Sequence, residues 1–493
     1  MSQLVAPLLR VHAADTVAVA LEALPAGATA LGVVLTQDVA QGHKVALTAH
    51  AAGDAVIKYG LPIGRTTRAI APGDPVHTHN LATALSGELA YARVAADAAL
   101  PTPPPGAVWQ GYRRADGRAA TRNEVWILPT VGCVGMTAEA VARAAQQRHG
   151  RVIDGIHAFS HPHGCSQLGD DLSGTRALLA GLAANPNAAG VLLLGLGCES
   201  NQLDALIDSV PAAARGKLRV LSSQSAGDEL AMAGELVDEL VDMAAPARRE
   251  ALPLSALAVG MKCGGSDAFS GLTANPLLGR FTDVLASAGG RAILTEIPEV
   301  FGAEQALLDR ATSAEVFAAA AALINRFKRY YLDQGLPVSE NPSPGNLAGG
   351  ITTLEEKSAG AVQKGGQAPL VDVIGYGEQA SRAGLTLLEA PGNDAVSASA
   401  LAAAGATMVL FTTGRGTPLG FPVPTLKVAS NHALAAAKPH WIDFDAATAL
   451  DSGNTATDAA FLTQILDVAS GTECAAERAG QRAIAIWKRG VTL

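Results

Sequence analysis

The hydrophobic rhythm of the chain changes about a hundred residues in. Before that point short apolar runs recur, DTVAVAL, ALGVVLT, HKVALTAH, AVIKYGLPIG and DPVHTHN, punctuated by Gly, Pro or Asp. Spacing of roughly ten residues between such runs predicts a small all-β module, here over residues 1–95. The stretch ATALSGELAYARVAADAAL, which reads as a helix, closes it. PTPPPGA at 101–107 follows; its prolines cannot continue a helix and favour an extended spacer, so residues 96–107 are read as a linker.

From Gly111 onward the pattern is α/β. Continuous apolar runs such as NEVWILPTVG, RVIDGIHAFS, GVLLLGLG and KLRVLSS read as buried parallel strands. Ala-rich amphipathic stretches, MTAEAVARAAQQRH and DDLSGTRALLAGLAAN, lie between them and imply βαβ crossovers. These place a first α/β domain at 108–250. A second, at 251–493, holds ALAVGMK, GRAILTEI, the helical SAEVFAAAAALINRFKRYYLDQ, the strand-like ATMVLFTTG and a loop-rich segment at 341–366. The fold class expected is an α/β body with parallel sheets and a small N-terminal β domain.

Composition narrows the function. With 49% hydrophobic and 16% charged residues the chain is too apolar to be disordered. Its net charge of −9 and lack of a basic cluster argue against nucleic acid and against an anionic membrane surface. No signal-peptide pattern and no membrane-length apolar run is seen, and the five cysteines are too scattered for a disulfide framework. A cytoplasmic enzyme acting on a small molecule is the expectation, with homo-oligomerisation left open.

Four cysteines stand where strand-like runs end in small-residue turns: Cys133 in TVGC, Cys165 in HPHGC, Cys198 in GLGCESN and Cys263 in KCGGSD. Ligands of open α/β sheets bind beyond the carboxyl ends of strands. One such cysteine is more simply a small buried hydrophobe, but four in the same context point to metal ligation. Cys474, in a charged tail, is set aside. His77 and His79, and again His161 and His163, are spaced to share one face of a strand, suiting a ligand or a proton shuttle. Gly/Asn/Asp loops crowd the second domain, GGSD (264–267), PGND (391–394) and TTGRGTP (412–418), and Arg415 between two glycines suits a carboxylate. Neither a Walker A loop nor a GxGxxG after a strand occurs. Glu199, Asp267, Glu296, Glu299, Glu304 and Glu378 are acidic residues in apolar settings.

YRRADGRAATRNEVWILPTVGC, HPHGCSQLGDD, GLGCESNQ, KCGGSDAFSGLTANPLLGRF, LTEIPEVFGAEQ, NPSPGNLAGGITTLEEKS, PGNDAVSASAL and LFTTGRGTP together resemble the altronate/galactarate dehydratase family, and GHKVAL, VIKYGLPIG and VHTHN resemble its SAF-type module. The resemblance covers essentially the whole chain. It implies a hydro-lyase that removes water from a sugar acid such as D-altronate, giving 2-dehydro-3-deoxy-D-gluconate in hexuronate breakdown. It also implies dependence on Fe(2+), with Mn(2+) as an alternative. The family histidine falls on His161, so His163 is an extra residue, and Ala120 stands where the family more commonly has a glycine.

Dehydration of a 2,3-dihydroxy acid takes the C2 proton and expels the C3 hydroxyl. On this reading Cys133, His161, Cys165, Cys198, Glu199 and Cys263 are the pool of metal ligands, and three of the thiols could instead hold an iron–sulfur cluster. Arg415, Asn393, Asp394, Ser266 and Asp267 would grip the substrate. His43, Lys44, Lys58, His77 and His79 would supply acid and base groups from the β module, His43 and Lys58 reading equally well as solvated surface residues. Galactarate dehydration, sulfolactate cleavage and a non-catalytic carbohydrate sensor are the rival readings.

Overall fold

The computed structural model describes residues 6–94, 100–104 and 106–493. Everything said below of its architecture refers to those residues. The N-terminal module is strand-rich. Leu8–Leu9, Val17–Ala20, Lys44–Ala46 and Pro75–Val76 form one antiparallel sheet, and Ala55–Lys58, Leu61–Thr66 and Leu81–Ala82 a second. Val17, Ala46, Val56, Ile63, Ile70, Val76 and Leu81 make its dry centre. Such short strands bury little by themselves, so the module leans on the body of the chain for stability.

Two parallel sheets build that body. The first runs Gly155–Ala158, Glu124–Pro129, Ala188–Gly195, Leu218–Ser222, so its order reverses beside its first strand. The second runs Leu370–Ile374, Gly384–Leu388, Arg291–Leu294, Ala258–Cys263, Met408–Thr413, Thr425–Ala429, Phe444–Asp445, and reverses beside Ala258–Cys263. Their central strands are buried on both faces, which is why they read as unbroken apolar runs.

Helices Gly169–Ala184 and Asp394–Ala403 pack between the two sheets. Asn185 at the end of one donates to the carbonyls of Ala402 and Ala406 at the end of the other, so the two helices run parallel. Each helix runs opposite to the strands it follows, and the carboxyl ends of both sheets therefore point the same way. The backbone at Gly181, where a Cβ would stand 2.6 Å from the Ala403 carbonyl oxygen, allows that close approach. An antiparallel pairing of Val108–Arg113 with Glu250–Pro253 ties together the entry and exit of the first α/β region.

Two expectations from sequence fail here. Residues 83–94 are not helical. They run along the helix Ala314–Leu332, where Asn325 bonds the backbone of Leu89 in both directions at 3.1 and 2.8 Å and Arg329 pairs with Glu88. Gly87 at φ +66°, beside Ser86, turns the chain out of a helical path. The remaining part of that stretch, 95–99, lies outside the described residues. The segment 341–366, read as loop, folds into short helices, Pro344–Ala348 and Leu354–Ala361, started by Ser343 and by the Thr353 side chain.

Candidate active site

In an open parallel sheet the ligand crevice opens where neighbouring strands send their loops to opposite faces. For the second sheet that point is the carboxyl end of Ala258–Cys263 beside Met408–Thr413, and the loops there are GGSD and TTGRG. Gly265, at φ +61°, lies against the Arg415 side chain. Arg415 is exposed, and among the described residues its guanidinium has neither an ion-pair nor a hydrogen-bond partner. A planar fork without a partner at the mouth of a crevice is suited to a carboxylate.

The β module packs against the segment 349–356 of the same chain. The Lys44 ammonium is fully buried and donates to the Gly350 carbonyl, the Thr352 hydroxyl and Glu356 Oε2, each at 2.8 Å. Lys58 donates to Glu356 Oε1 at 2.8 Å and lies over the Tyr59 ring. One carboxylate thus binds two buried ammonium groups across the domain interface. Burial works to raise the Glu356 carboxyl, but Lys44 and Lys58 outweigh it and hold it down at about 2. For Lys44 burial prevails, since Glu356 is shared and Lys58 repels, and its pKa falls to about 8. Gly350, at φ +92°, brings its backbone so close that a Cβ would stand 2.5 Å from the Gly42 carbonyl oxygen.

His43 and His77 stack at 5.1 Å above this interface. His77 Nε2 lies 3.2 Å from the Leu347 carbonyl oxygen. Half-burial first, then the neighbouring Lys44 charge, lower both imidazoles, so both are neutral at pH 7. His77 and His79 do not share a strand face. Residues 77–80 form a turn, closed by Asn80, whose side chain accepts from the His77 N–H and donates to the Pro75 carbonyl; His79 is left exposed. His43 and Lys58, which read equally well as solvated, are half-buried and buried respectively.

A charged network continues beneath the crevice. Glu296 stands in the left-handed region at φ +68°, a strain of about 1 kcal/mol or more for a residue with a Cβ, and its carboxylate sits between Lys262 and Lys364. Lys364 is 2.8 Å from both Glu296 and the Cys263 sulfur, Glu299 accepts from that thiol at 3.0 Å and pairs with Lys357 at 2.8 Å, and Lys262 reaches Asp394 at 2.9 Å. Burial, reinforced by Glu296 and Glu299, pushes the Cys263 thiol well up, so it is neutral. Asp394 is the network's half-exposed end. Helix Leu354–Ala361 and the turn after it link both clusters, carrying Glu356 to the β module and Lys357 and Lys364 to the network.

Other predicted residues hold the loops in shape. The Asp267 carboxylate accepts from the Ser270 N–H and hydroxyl, from Ser430 and from Asn431. The carbonyl of Ser266 accepts from Asn346, and Asn393 caps the helix Asp394–Ala403 through Val396 N–H.

The expected metal-ligand pool is divided. Cys263 belongs to the second sheet, whereas Cys133, Cys165 and Cys198 follow three adjoining strands of the first, whose order reverses between the Cys133 and Cys198 loops. Cys263, Glu296 and Glu299 bring three donor atoms within 4.8 Å of one another, as a metal would require. Yet the three carboxylates of the network, Glu296, Glu299 and Asp394, already face three ammonium groups, and Lys364 sits between two of the donors. A dication does not fit there without displacing a lysine. In the first sheet, both nitrogens of His161 are engaged, with the Pro129 carbonyl and with His163 N–H, and both Glu199 oxygens accept backbone N–H groups of Leu196 and Gly197. The thiols of Cys133, Cys165 and Cys198 are free and exposed, and soft sulfur donors of this kind suit iron.

Sequence reasoning missed Lys262, Glu356, Lys357 and Lys364 as site residues. The one signal was their position inside recognisable blocks, because TTLEEKS otherwise reads as the solvated first turn of a helix.

Three family models match in succession: the altronate/galactarate dehydratase SAF domain over residues 6–84, the D-galactarate dehydratase/altronate hydrolase second domain over 111–247, and the D-galactarate/altronate dehydratase C-terminal domain over 254–492. The chain is 45% identical to an altronate dehydratase of Bacillus subtilis (strain 168), over 98% of this chain and 99% of that one. It is 47% identical, at the same coverage, to an altronate dehydratase of Escherichia coli (strain K12). A galactarate dehydratase (L-threo-forming) of Escherichia coli (strain K12) is more distant, 33% identical over 94% of this chain and 92% of that one.

Proposed function

Because the chain belongs to the D-galactarate/altronate dehydratase family, we propose that it is a hydro-lyase converting D-altronate to 2-dehydro-3-deoxy-D-gluconate in the crevice between the SAF module and the second parallel sheet. The observation that supports this placement is that Asp267 packs against both Gly414, next to the unpartnered Arg415, and Gly349, two residues from the Leu347 carbonyl that His77 contacts. The higher identity to altronate dehydratases, 45–47% against 33% for the galactarate dehydratase, supports altronate over galactarate.

Arg415 takes the substrate carboxylate, which acidifies the C2 proton by withdrawing charge as the enolate forms. Asp394, steadied by Lys262, accepts a hydrogen bond from a sugar hydroxyl. A neutral imidazole, His77 with His43 stacked on it, removes the C2 proton. The imidazolium so formed is the nearest acid, and it returns the proton to the departing C3 hydroxyl, so that water leaves and the enol ketonises. Lys44 acts through the histidines, holding them neutral as bases.

We assign the iron dependence implied by the family resemblance, Fe(2+) or Mn(2+), to the thiol loops of Cys133, Cys165 and Cys198. Those three thiols would hold the metal, and the chemistry it would supply there is that of a Lewis acid. A cytoplasmic setting accords with the exposed free thiols, and no described helix is long and apolar enough to cross a membrane. Anaerobic assay of D-altronate, galactarate and sulfolactate with added Fe(2+), following 2-keto acid formation, tests the reading. Turnover of D-altronate at least tenfold above the others is expected; preference for galactarate would refute the substrate, and no turnover of any would refute the activity.

A further inference from the structure

We propose that a cavity at the amino ends of the first parallel sheet, walled by Arg114, Arg118 and Lys217, binds the phosphate group of a small phosphate ester. The crevice of the proposed reaction opens at the carboxyl ends of the strands, so this is a second site, and it stands or falls apart from that reaction.

The cations reach the cavity from two places in the chain. Arg114 and Arg118 flank the turn 115–117, where Gly117 at φ +83° closes a hairpin. Gly117 N–H donates to the Arg114 carbonyl at 2.9 Å, and Arg114 N–H to the Arg118 carbonyl at 2.8 Å. The two arginines therefore stand opposite one another across the hairpin, a placement in which like charges repel. Lys217 comes from the residue before the strand Leu218–Ser222, and Ala188, which opens the strand Ala188–Gly195, lies on the same wall.

Capping of a helix end accounts for part of this charge. The three side chains donate to successive carbonyls after the helix Gly169–Ala184: Arg118 to Ala184 at 2.8 Å, Lys217 to Asn185 at 2.7 Å and Arg114 to Pro186 at 2.7 Å. A helix C-terminus presents only about half a negative charge. Asp116 adds one carboxylate, which Arg118 engages at 2.7 Å. With Lys217 charged, an excess of about one and a half positive charges remains, in a chain whose net charge is −9. A phosphate group carries about −1.5 to −2 near neutral pH, which matches it. The crowding is felt already: burial, then Arg114 and Arg118, hold the Lys217 amine well below its ordinary range. A bound anion offsets the two arginines and restores the ammonium.

Donors are left over as well. Arg114 spends three of its five N–H groups on Pro186, the Asn123 side chain and the Arg122 carbonyl, and the Lys217 ammonium spends two of three on Asn185 and Ala188. Among the described residues two N–H groups of Arg114 and one of Lys217 thus lack an acceptor, and phosphate offers three oxygens. The cavity measures about 250 Å³, against about 30 Å³ for a water, and Ala188, Ala189 and Met243 give it an apolar wall. That room suits an organic group beyond the phosphate. Arg118 also donates to the Gln379 side chain at 3.1 Å, which sets the site on the seam between the two α/β regions.

Calorimetric titration of the full chain with glycerol 3-phosphate, inorganic phosphate and glycerol, at an ionic strength held constant with potassium chloride, is the test. Both phosphates should bind with Kd below about 1 mM, the ester more tightly, and glycerol should not bind. Arg118→Gln and Lys217→Gln should each weaken binding about 10–100-fold, as loss of one charge-assisted contact does, and Arg415→Ala should leave it unchanged. A measurement on the unaltered protein covers variants that fail to fold: glycerol 3-phosphate should slow acetylation of Lys217 while the exposed Lys488 reacts as before, read by peptide mass spectrometry. Tighter binding of inorganic phosphate would overturn the ester. Binding of neither phosphate, full affinity in both Arg118→Gln and Lys217→Gln, loss of binding in Arg415→Ala, or unprotected Lys217 would each overturn the site.

Discussion

Replacing Glu356 by Gln removes the one negative charge that binds two buried ammonium groups across the domain interface. Lys44 keeps its bonds to Gly350 and Thr352, but Lys58 keeps only the Tyr59 ring and a neutral amide oxygen. Two routes to the magnitude agree. The carboxyl is held at about 2 against its ordinary 4.5, and at about 1.4 kcal/mol per unit this amounts to about 3 kcal/mol. Breaking a buried ion pair by deleting one partner costs about 3–5 kcal/mol. Docking of the SAF module should therefore weaken roughly 10²-fold. Hydrogen exchange reads this directly: amides of Lys44–Ala46 and Ala55–Lys58 should lose about that factor of protection, while Met408–Thr413 keeps its own. The double variant Glu356→Gln/Lys58→Met should be less destabilised than the sum of the single changes, because the orphaned ammonium is gone. Unchanged protection in Glu356→Gln, or strict additivity of the pair, would refute the reasoning.

Acid should act through the same carboxylate. Its folded pKa lies below the unfolded one, so the stability it contributes is present above about pH 4.5 and drains away as pH falls toward 2; urea midpoints across that window should fall less steeply in Glu356→Gln than in the native chain, the remaining slope coming from other depressed carboxyls such as Glu299. Arg415→Ala should raise KM for D-altronate roughly 10–100-fold, the loss of one charge-assisted contact, with the urea midpoint unmoved because the side chain is exposed. Gly350→Ala places a Cβ against the Gly42 carbonyl at a positive φ, and loosening of the SAF module by at least 1–2 kcal/mol, seen as faster limited proteolysis near residue 84, is the expected outcome.

Much of this molecule could be read before folding. The continuous apolar runs of Glu124–Pro129, Ala188–Gly195 and Met408–Thr413 announced buried parallel strands, and the loops after them carried the thiols and Arg415. What stayed hidden has a common physical cause. A buried lysine has no periodicity of its own; Lys262 and Lys364 are legible only beside Glu296 and Cys263, partners tens of residues or more away in the chain. Residues 83–94 misled for the opposite reason, since their helix-forming composition yields to specific bonds with Asn325 and Arg329.

The tie between the SAF module and the body has a consequence for how the parts could be arranged on chains. Covalent connection holds the module near its dock at an effective concentration on the order of millimolar. A fused module can thus tolerate a hundredfold loss of intrinsic affinity and still spend much of its time seated. The same interface between two separate chains, present at micromolar levels, would come apart after that loss. Glu356 in this chain therefore sets the precision with which His43 and His77 are presented, whereas in an unlinked arrangement its counterpart would decide whether the two halves meet at all.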